Sequence, residues 1–75
     1  MPKIPSLKPK EVIRVLRKVG FEERNTTGSH MILRHPVTHK IAVVPVHGGY
    51  DIKKGTFRNI LKQADLSVDD FLKLL

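Results

Sequence analysis

The histidines are the residues of this sequence best suited to chemistry near neutral pH, because imidazole titrates closest to physiological pH. His30 follows Gly28 and Ser29 at the start of a predicted strand, on the face that also carries Arg34. An imidazole beside a guanidinium suits phosphodiester chemistry, since the ring can transfer a proton while the cation holds the phosphate. The local pattern by itself favours a half-exposed strand residue without a role slightly over a catalytic one. The sequence has four histidines, at positions 30, 35, 39 and 47.

The other histidines lie in turns. His47 precedes Gly48 and Gly49, where an absence of side chains would allow close approach of an RNA backbone, although these glycines could equally serve only as a connection. His35 and His39 are four residues apart across a predicted turn, with no carboxylate ligand nearby. We therefore predict neither a metal site nor a bound cofactor.

Several other kinds of chemistry are excluded by composition. The chain has no cysteine, which excludes disulfides, thiolate zinc sites and a cysteine nucleophile. It also has no P-loop and no Ser/His/Asp arrangement at a credible spacing. One tyrosine and three phenylalanines are too few for the aromatic platform on which many RNA-binding sheets stack bases.

The charge indicates a polyanionic partner. Fourteen lysines and arginines against seven acidic residues give a net charge of +7, which favours RNA or DNA, although solubility alone is an alternative explanation. Lys53 and Lys54 introduce a predicted helix whose N-terminal amides favour anions. Basic residues recur at helical spacing in two stripes: Lys10, Arg14, Arg17 and Lys18 in the first predicted helix, and Lys54, Arg58 and Lys62 in the second.

The periodicity predicts a single α+β domain over residues 1–75. Residues 9–19 form a helix with proline at its first position and Gly20 as its stop. Strands follow over 21–25, 29–35 and 40–46 as an antiparallel meander, and we expect the apolar third strand to be central. A second helix covers 54–64, and Ser67 caps a short closing helix over 68–75. The residues expected in the core are Val15, Leu16, Leu33, Val43, Ile60 and Leu61.

The chain shows no pattern of a signal peptide or of a membrane span. Met1 is followed by Pro2, Lys3 and Pro5, and no apolar run approaches the length of about 20 residues that a spanning helix needs. The cytoplasm is therefore the expected location.

Five short motifs follow one another along the chain: Gly28-Ser29-His30, Arg34-His35-Pro36, residues 44–49, residues 52–56 and residues 60–64. This ordered set resembles the HicA (YcfA-like) toxin family over residues 11–71. The resemblance implies a fold like that of double-stranded-RNA-binding domains, and an mRNA interferase that a HicB antitoxin masks. It also implies that the histidine of the Gly-Ser-His motif, here His30, is catalytic. Asp65 stands where these proteins often have glycine.

These observations together predict an endoribonuclease that cleaves mRNA without a metal. His30 acts as general base or general acid, and the second proton transfer falls to His47, a lysine or water. We expect the protein to be a monomer when free and oligomeric with its antitoxin. The alternatives are a non-catalytic RNA-binding module of the double-stranded type, and an interaction protein whose basic face only docks a partner. The residues predicted to contact RNA are Ser29, Arg34, Gly48, Lys53, Lys54 and Arg58.

Overall fold

The computed structural model describes residues 4–46 and 50–75 and confirms the predicted α+β fold. The elements are α1 (Pro9–Lys18), β1 (Glu22–Thr26), β2 (His30–Arg34), β3 (Ile41–Pro45), α2 (Lys54–Ala64) and α3 (Val68–Leu74). The three strands form one open antiparallel sheet, and the arrangement is consistent with a double-stranded-RNA-binding-like fold. No helix in the described ranges is both long and apolar enough to cross a bilayer.

Local signals set both ends of α1. Lys8 is extended before Pro9, and its backbone N–H donates to the Glu11 carboxylate at 2.9 Å, which satisfies an amide that the helix leaves free. The helix buries Val12, Val15 and Leu16. Gly20 follows with a φ of +104°, a backbone conformation that side chains rarely allow.

The strand order is β1-β2-β3, so β2 is the central strand and the expectation of a central β3 is wrong. Only Ala42 and Val44 of β3 face the helices, and both are fully buried. Val43 points to the opposite face and is only partly buried, which corrects its predicted place in the core. Its outward N–H donates to the Gln63 side chain of α2 at 3.1 Å. The apolar run is tolerated at an edge because α2 covers that edge.

Pro45 is accommodated in β3 because successive backbone N–H groups of a strand point alternately towards and away from its neighbour. Pro45 pairs with His30, two positions beyond the pair of Val43 with Ile32. The amides at 43 and 45 therefore point away from β2, where a missing N–H breaks no ladder bond.

The core lies between the helices and one face of the sheet. The predicted burial of Val15, Leu16, Leu33, Ile60 and Leu61 is confirmed. The segment before α1 also contributes, since Ile4 and Leu7 are buried and the Leu7 carbonyl accepts from the Ile52 N–H at 2.8 Å. Phe57 of α2 packs edge to face against Phe71 of α3, with ring centroids 4.8 Å apart.

The start of α3 is capped as the sequence predicts. Ser67 precedes α3, and its hydroxyl accepts from the Asp70 N–H at 3.0 Å, as the sequence predicts. Asp65 ends α2 in the left-handed conformation at φ 59°, where glycine is the usual residue.

Candidate functional site

The β1–β2 turn holds the backbone of His30 by its own side chains. The Thr27 N–H donates to the His30 carbonyl at 2.9 Å, and the His30 N–H donates back to the Thr27 hydroxyl at 3.1 Å. The threonine oxygen thus accepts the bond that a hairpin carbonyl would ordinarily take. Thr27 is not among the site residues predicted from the sequence. The signal that could identify its role is a hydroxyl residue three positions before the histidine.

The His30 imidazole is exposed and oriented from one side. Its Nδ1 lies 2.9 Å from the Ser29 hydroxyl, and within the described chain its Nε2 has no hydrogen-bond partner. A contact to one ring nitrogen sets the orientation of the ring and the tautomer it presents. The remaining nitrogen faces solvent, where it can exchange a proton with a bound substrate.

Arg34 is not beside His30, although both lie on the same face of β2. Four residues of extended chain separate their Cα atoms by about 13 Å. The Arg34 guanidinium instead contacts the Nδ1 of His39 at 2.5 Å, beyond the opposite end of the strand. The sequence pattern identified the shared face correctly, but the strand rise prevents a joint contact of these two side chains with one phosphate.

The start of α2 lies at the same end of the sheet as His30. Pro45, the register partner of His30, lines a cavity together with Lys53 and Thr56. Lys53 occupies the N-cap position of α2 without a side-chain hydrogen bond to the helix, and the first turn contains no acidic residue. The first amides of α2 and the exposed Lys53 and Lys54 therefore present positive potential beside this end of the sheet.

Arg58 is exposed one turn further along α2. It borders a separate cleft towards the start of α3, lined among others by Asn59, Lys62 and Ser67. Of the second predicted stripe, Arg58 and Lys62 line this cleft, whereas the cavity beside Pro45 is lined by Lys53 and not by Lys54. His47 and Gly48, the other two predicted site residues, lie outside the described residues.

His35 and His39 have structural partners. The Nε2 of His35 contacts the Val19 carbonyl at 3.0 Å, and its Nδ1 accepts from the Val37 and Thr38 amides at 3.1 and 3.2 Å. Both ring nitrogens of His35 are thus used within the protein. In residues 4–46 and 50–75, no three histidine or acidic side chains lie close enough together to hold a metal ion.

The first basic stripe is also divided. Lys18 donates to the Leu74 carbonyl at 2.8 Å and so ties α1 to the end of α3. Arg17 contacts the Glu23 carboxylate at 3.5 Å. Lys10 and Arg14 are exposed and have no ion-pair partner among the described residues.

Comparison with known proteins assigns the family. A search of curated proteins finds no match to this chain. A sequence model described as the HicA toxin of bacterial toxin–antitoxin systems matches residues 9–66, which span the chain from the start of α1 to just past α2. The match includes the turn that carries Ser29 and His30 and the start of α2. The protein therefore belongs to the HicA toxin family, and it is the toxin partner of a toxin–antitoxin pair.

Proposed function

We propose that this toxin is an mRNA interferase, an endoribonuclease that cuts mRNA and so inhibits translation. The observation that carries the proposal is the exposed His30 ring, held by Ser29 at Nδ1 and open at Nε2. This arrangement suits a proton-transfer residue better than a packing residue, because a packing residue would bury the ring.

The chemistry that fits an imidazole is transesterification of the RNA backbone. The 2′-oxygen forms a bond to the adjacent phosphorus, and its hydroxyl proton passes to a general base. The bond from phosphorus to the 5′-oxygen breaks, and that oxygen takes a proton from a general acid. The products carry a 2′,3′-cyclic phosphate and a 5′-hydroxyl. His30 performs one of the two proton transfers, and His47, a lysine or water performs the other.

Positive groups at the start of α2 can stabilise the negative charge that builds up on the phosphate during cleavage. Lys53, Lys54 and the uncapped first amides of the helix offer positive charge and N–H donors. In this proposal imidazole moves the protons and the lysines stabilise the charge, so cleavage proceeds without a metal. Cleavage that persists in EDTA would agree, whereas restoration only by a divalent cation would contradict metal independence.

The further RNA contacts are proposed from the sequence pattern. Ser29 orients the catalytic ring, and Gly48 permits close approach of the backbone. Arg34 and Arg58 lie further away and contact the strand outside the scissile phosphate. A HicB-type antitoxin masks the protein, which is a monomer when free and oligomeric with the antitoxin, in the cytoplasm where mRNA is translated. Light scattering of the free toxin and of the co-purified complex measures these states.

The test uses purified toxin and a labelled single-stranded RNA. His30→Ala and His30→Gln should each lower the cleavage rate at least about a hundredfold, because neither side chain titrates as imidazole does. The matched control is His39→Asn, which removes another exposed histidine and keeps a residue that tolerates the φ of 63° there. Cleavage by folded His30→Ala at the wild-type rate would remove His30 as the catalyst. RNA binding without product from the wild type would indicate the non-catalytic RNA-binding module instead.

A further inference from the structure

A groove runs along the outer side of α1. One part of it is lined by Lys10, Ile13, Arg14, Arg17, Lys18 and Met31. The other part is lined by Lys8, Pro9, Lys10, Ile13 and Val46. Lys10 and Ile13 belong to both parts, so the two form one continuous depression, called here the α1 groove.

The α1 groove has a basic rim whose charge is concentrated near the start of the helix. Lys10 and Arg14 are one helical turn apart, on the same side, and have no ion-pair partner among the described residues. Arg17 forms an ion pair with Glu23, and Lys18 donates a hydrogen bond to the Leu74 carbonyl. Lys10 and Arg14 therefore remain to attract an anion.

The floor of the groove is apolar. Ile13 and Met31 are partly buried against the core, and both still line the open groove. A flat apolar surface beneath two cations matches a nucleotide, whose base is planar and whose phosphate is anionic. It matches an unstacked base of a single strand, because the bases of a duplex are stacked inside and cannot reach such a floor. Methionine adapts its shape to different bases, which favours contact without sequence choice.

The far end of the groove reaches the catalytic turn. The Val46 N–H, at the groove's end, donates to the Ser29 carbonyl at 2.9 Å. The Ser29 side chain in turn contacts the His30 ring at 2.9 Å. The groove therefore ends beside the β1–β2 turn that carries His30, whose side chain lies on the face of β2 opposite Met31.

We propose that the α1 groove is the site that binds the single-stranded RNA segment next to the scissile phosphate. Lys10 and Arg14 contact its phosphates, and a base rests on Ile13 and Met31. The inference rests on the proposed ribonuclease function and adds to it a substrate track outside the start of α2. The end of the groove beside the turn that carries His30 favours RNA over an acidic segment of the antitoxin as the occupant.

The first test measures binding of a fluorescent single-stranded RNA to the inactive His30→Ala protein over a range of salt concentrations. Replacing both Lys10 and Arg14 by alanine should weaken binding at least tenfold at low salt. It should also lower the slope of log affinity against log salt by about 1.4, since each phosphate contact to a single strand contributes about 0.7. The matched control replaces Arg24 and Lys73, two exposed cations outside the groove, and should leave the slope unchanged.

The second test examines the floor in the active enzyme. Met31→Ala removes apolar contact from the groove floor without changing the charge. It should raise KM and leave kcat the same, because a base beside the scissile bond is bound equally in the ground state and the transition state. RNA carrying 5-iodouridine should cross-link to the peptide that contains Met31.

The outcomes separate the groove from the proposed function. Equal loss of RNA affinity in the groove variant and in the charge-matched control would overturn the groove proposal. Loss of antitoxin binding with unchanged RNA binding in the Lys10/Arg14 variant would overturn it too, and would assign the groove to the protein partner. Failure of the His30→Ala parent to bind RNA at all would instead contradict the ribonuclease function itself.

Discussion

Gly20 and His35 can occupy their positions together only because residue 20 has no side chain. A Cβ built on Gly20 would lie 2.6 Å from the Nε2 of His35, well inside van der Waals contact. The same ring nitrogen contacts the Val19 carbonyl, and the ring packs edge to face on Phe21 at 5.3 Å. This contact joins the end of α1 to the β2–β3 turn, at the end of the sheet remote from His30.

Gly20→Ala should therefore be strongly destabilising. It combines the clash with His35 and a φ of +104°, and the backbone conformation alone costs about 1–2 kcal/mol for a residue with a side chain. For a domain of this size we expect the melting temperature to fall by roughly 10 °C. Gly28→Ala is the matched control, since a Cβ there meets nothing within 4 Å and its φ is not positive. Equal melting temperatures for the two variants would contradict this account.

Ser29 should affect the rate of cleavage and not the stability of the fold. Ser29→Ala removes the hydroxyl that lies 2.9 Å from the His30 Nδ1, so the ring loses its orientation. We expect kcat to fall about tenfold with little change in KM, because the ring no longer holds the orientation that proton transfer needs. Ser29→Thr keeps the hydroxyl and should restore most of the rate. A kcat for Ser29→Ala equal to that of the wild type would show that Ser29 only forms the turn.

Two pairs of basic residues, one at the start of α2 and one further along it, should differ in their effect on cleavage. Lys53→Ala with Lys54→Ala removes charge at the helix start, beside the cavity that Pro45 lines, and should lower kcat/KM at least tenfold. Arg58→Ala with Lys62→Ala removes the same charge from the cleft near α3, and should mainly flatten the salt dependence of binding. Cleavage assays at several salt concentrations compare the pairs. Equal kcat/KM values for the two pairs would refute a special role of the helix start.

Asp65 ends α2 in a backbone conformation that favours glycine. It adopts the left-handed conformation at the end of α2, and its carboxylate contacts the Lys40 ammonium at 2.6 Å. Because the ion pair is exposed and weak, the backbone strain outweighs it. Asp65→Gly should raise the melting temperature by a few degrees, measured by circular dichroism, whereas Asp65→Val should lower it. A lower melting temperature for Asp65→Gly would show that the ion pair dominates.

The same ion pair predicts a small pH dependence. The hydrogen bond and the charge of Lys40 lower the pKa of Asp65 below its ordinary value of 3.8. A lowered folded-state pKa stabilises the protein above the unfolded pKa, and this contribution disappears as the pH falls through the folded-state value. Lys40→Met should therefore destabilise slightly at pH 7 and have a smaller effect at pH 2. Denaturant titrations at both pH values measure the difference, and an effect that is undiminished in acid would have another cause.

The order of the elements and the location of the candidate catalytic residue could be determined from the sequence. Pro9 and Gly20 bound α1 by local backbone preferences, and the spacing of apolar residues distinguishes helices from strands. The Gly-Ser-His turn is likewise a local arrangement, because its hydrogen bonds join residues within three positions of each other. Such features depend on short-range chemistry, which the order of residues encodes directly.

Only the tertiary structure decided which distant residues meet. The apolar run of β3 is typical of a central strand, but the strand order places it at an edge that Gln63 of α2 covers. Arg34 shares a face with His30, but the length of β2 directs it to His39. The α1 groove reaches Ser29 only through the pairing of Val46. Strand order, strand rise and contacts between remote segments are properties of the packed chain, and a periodic pattern along the sequence does not contain them.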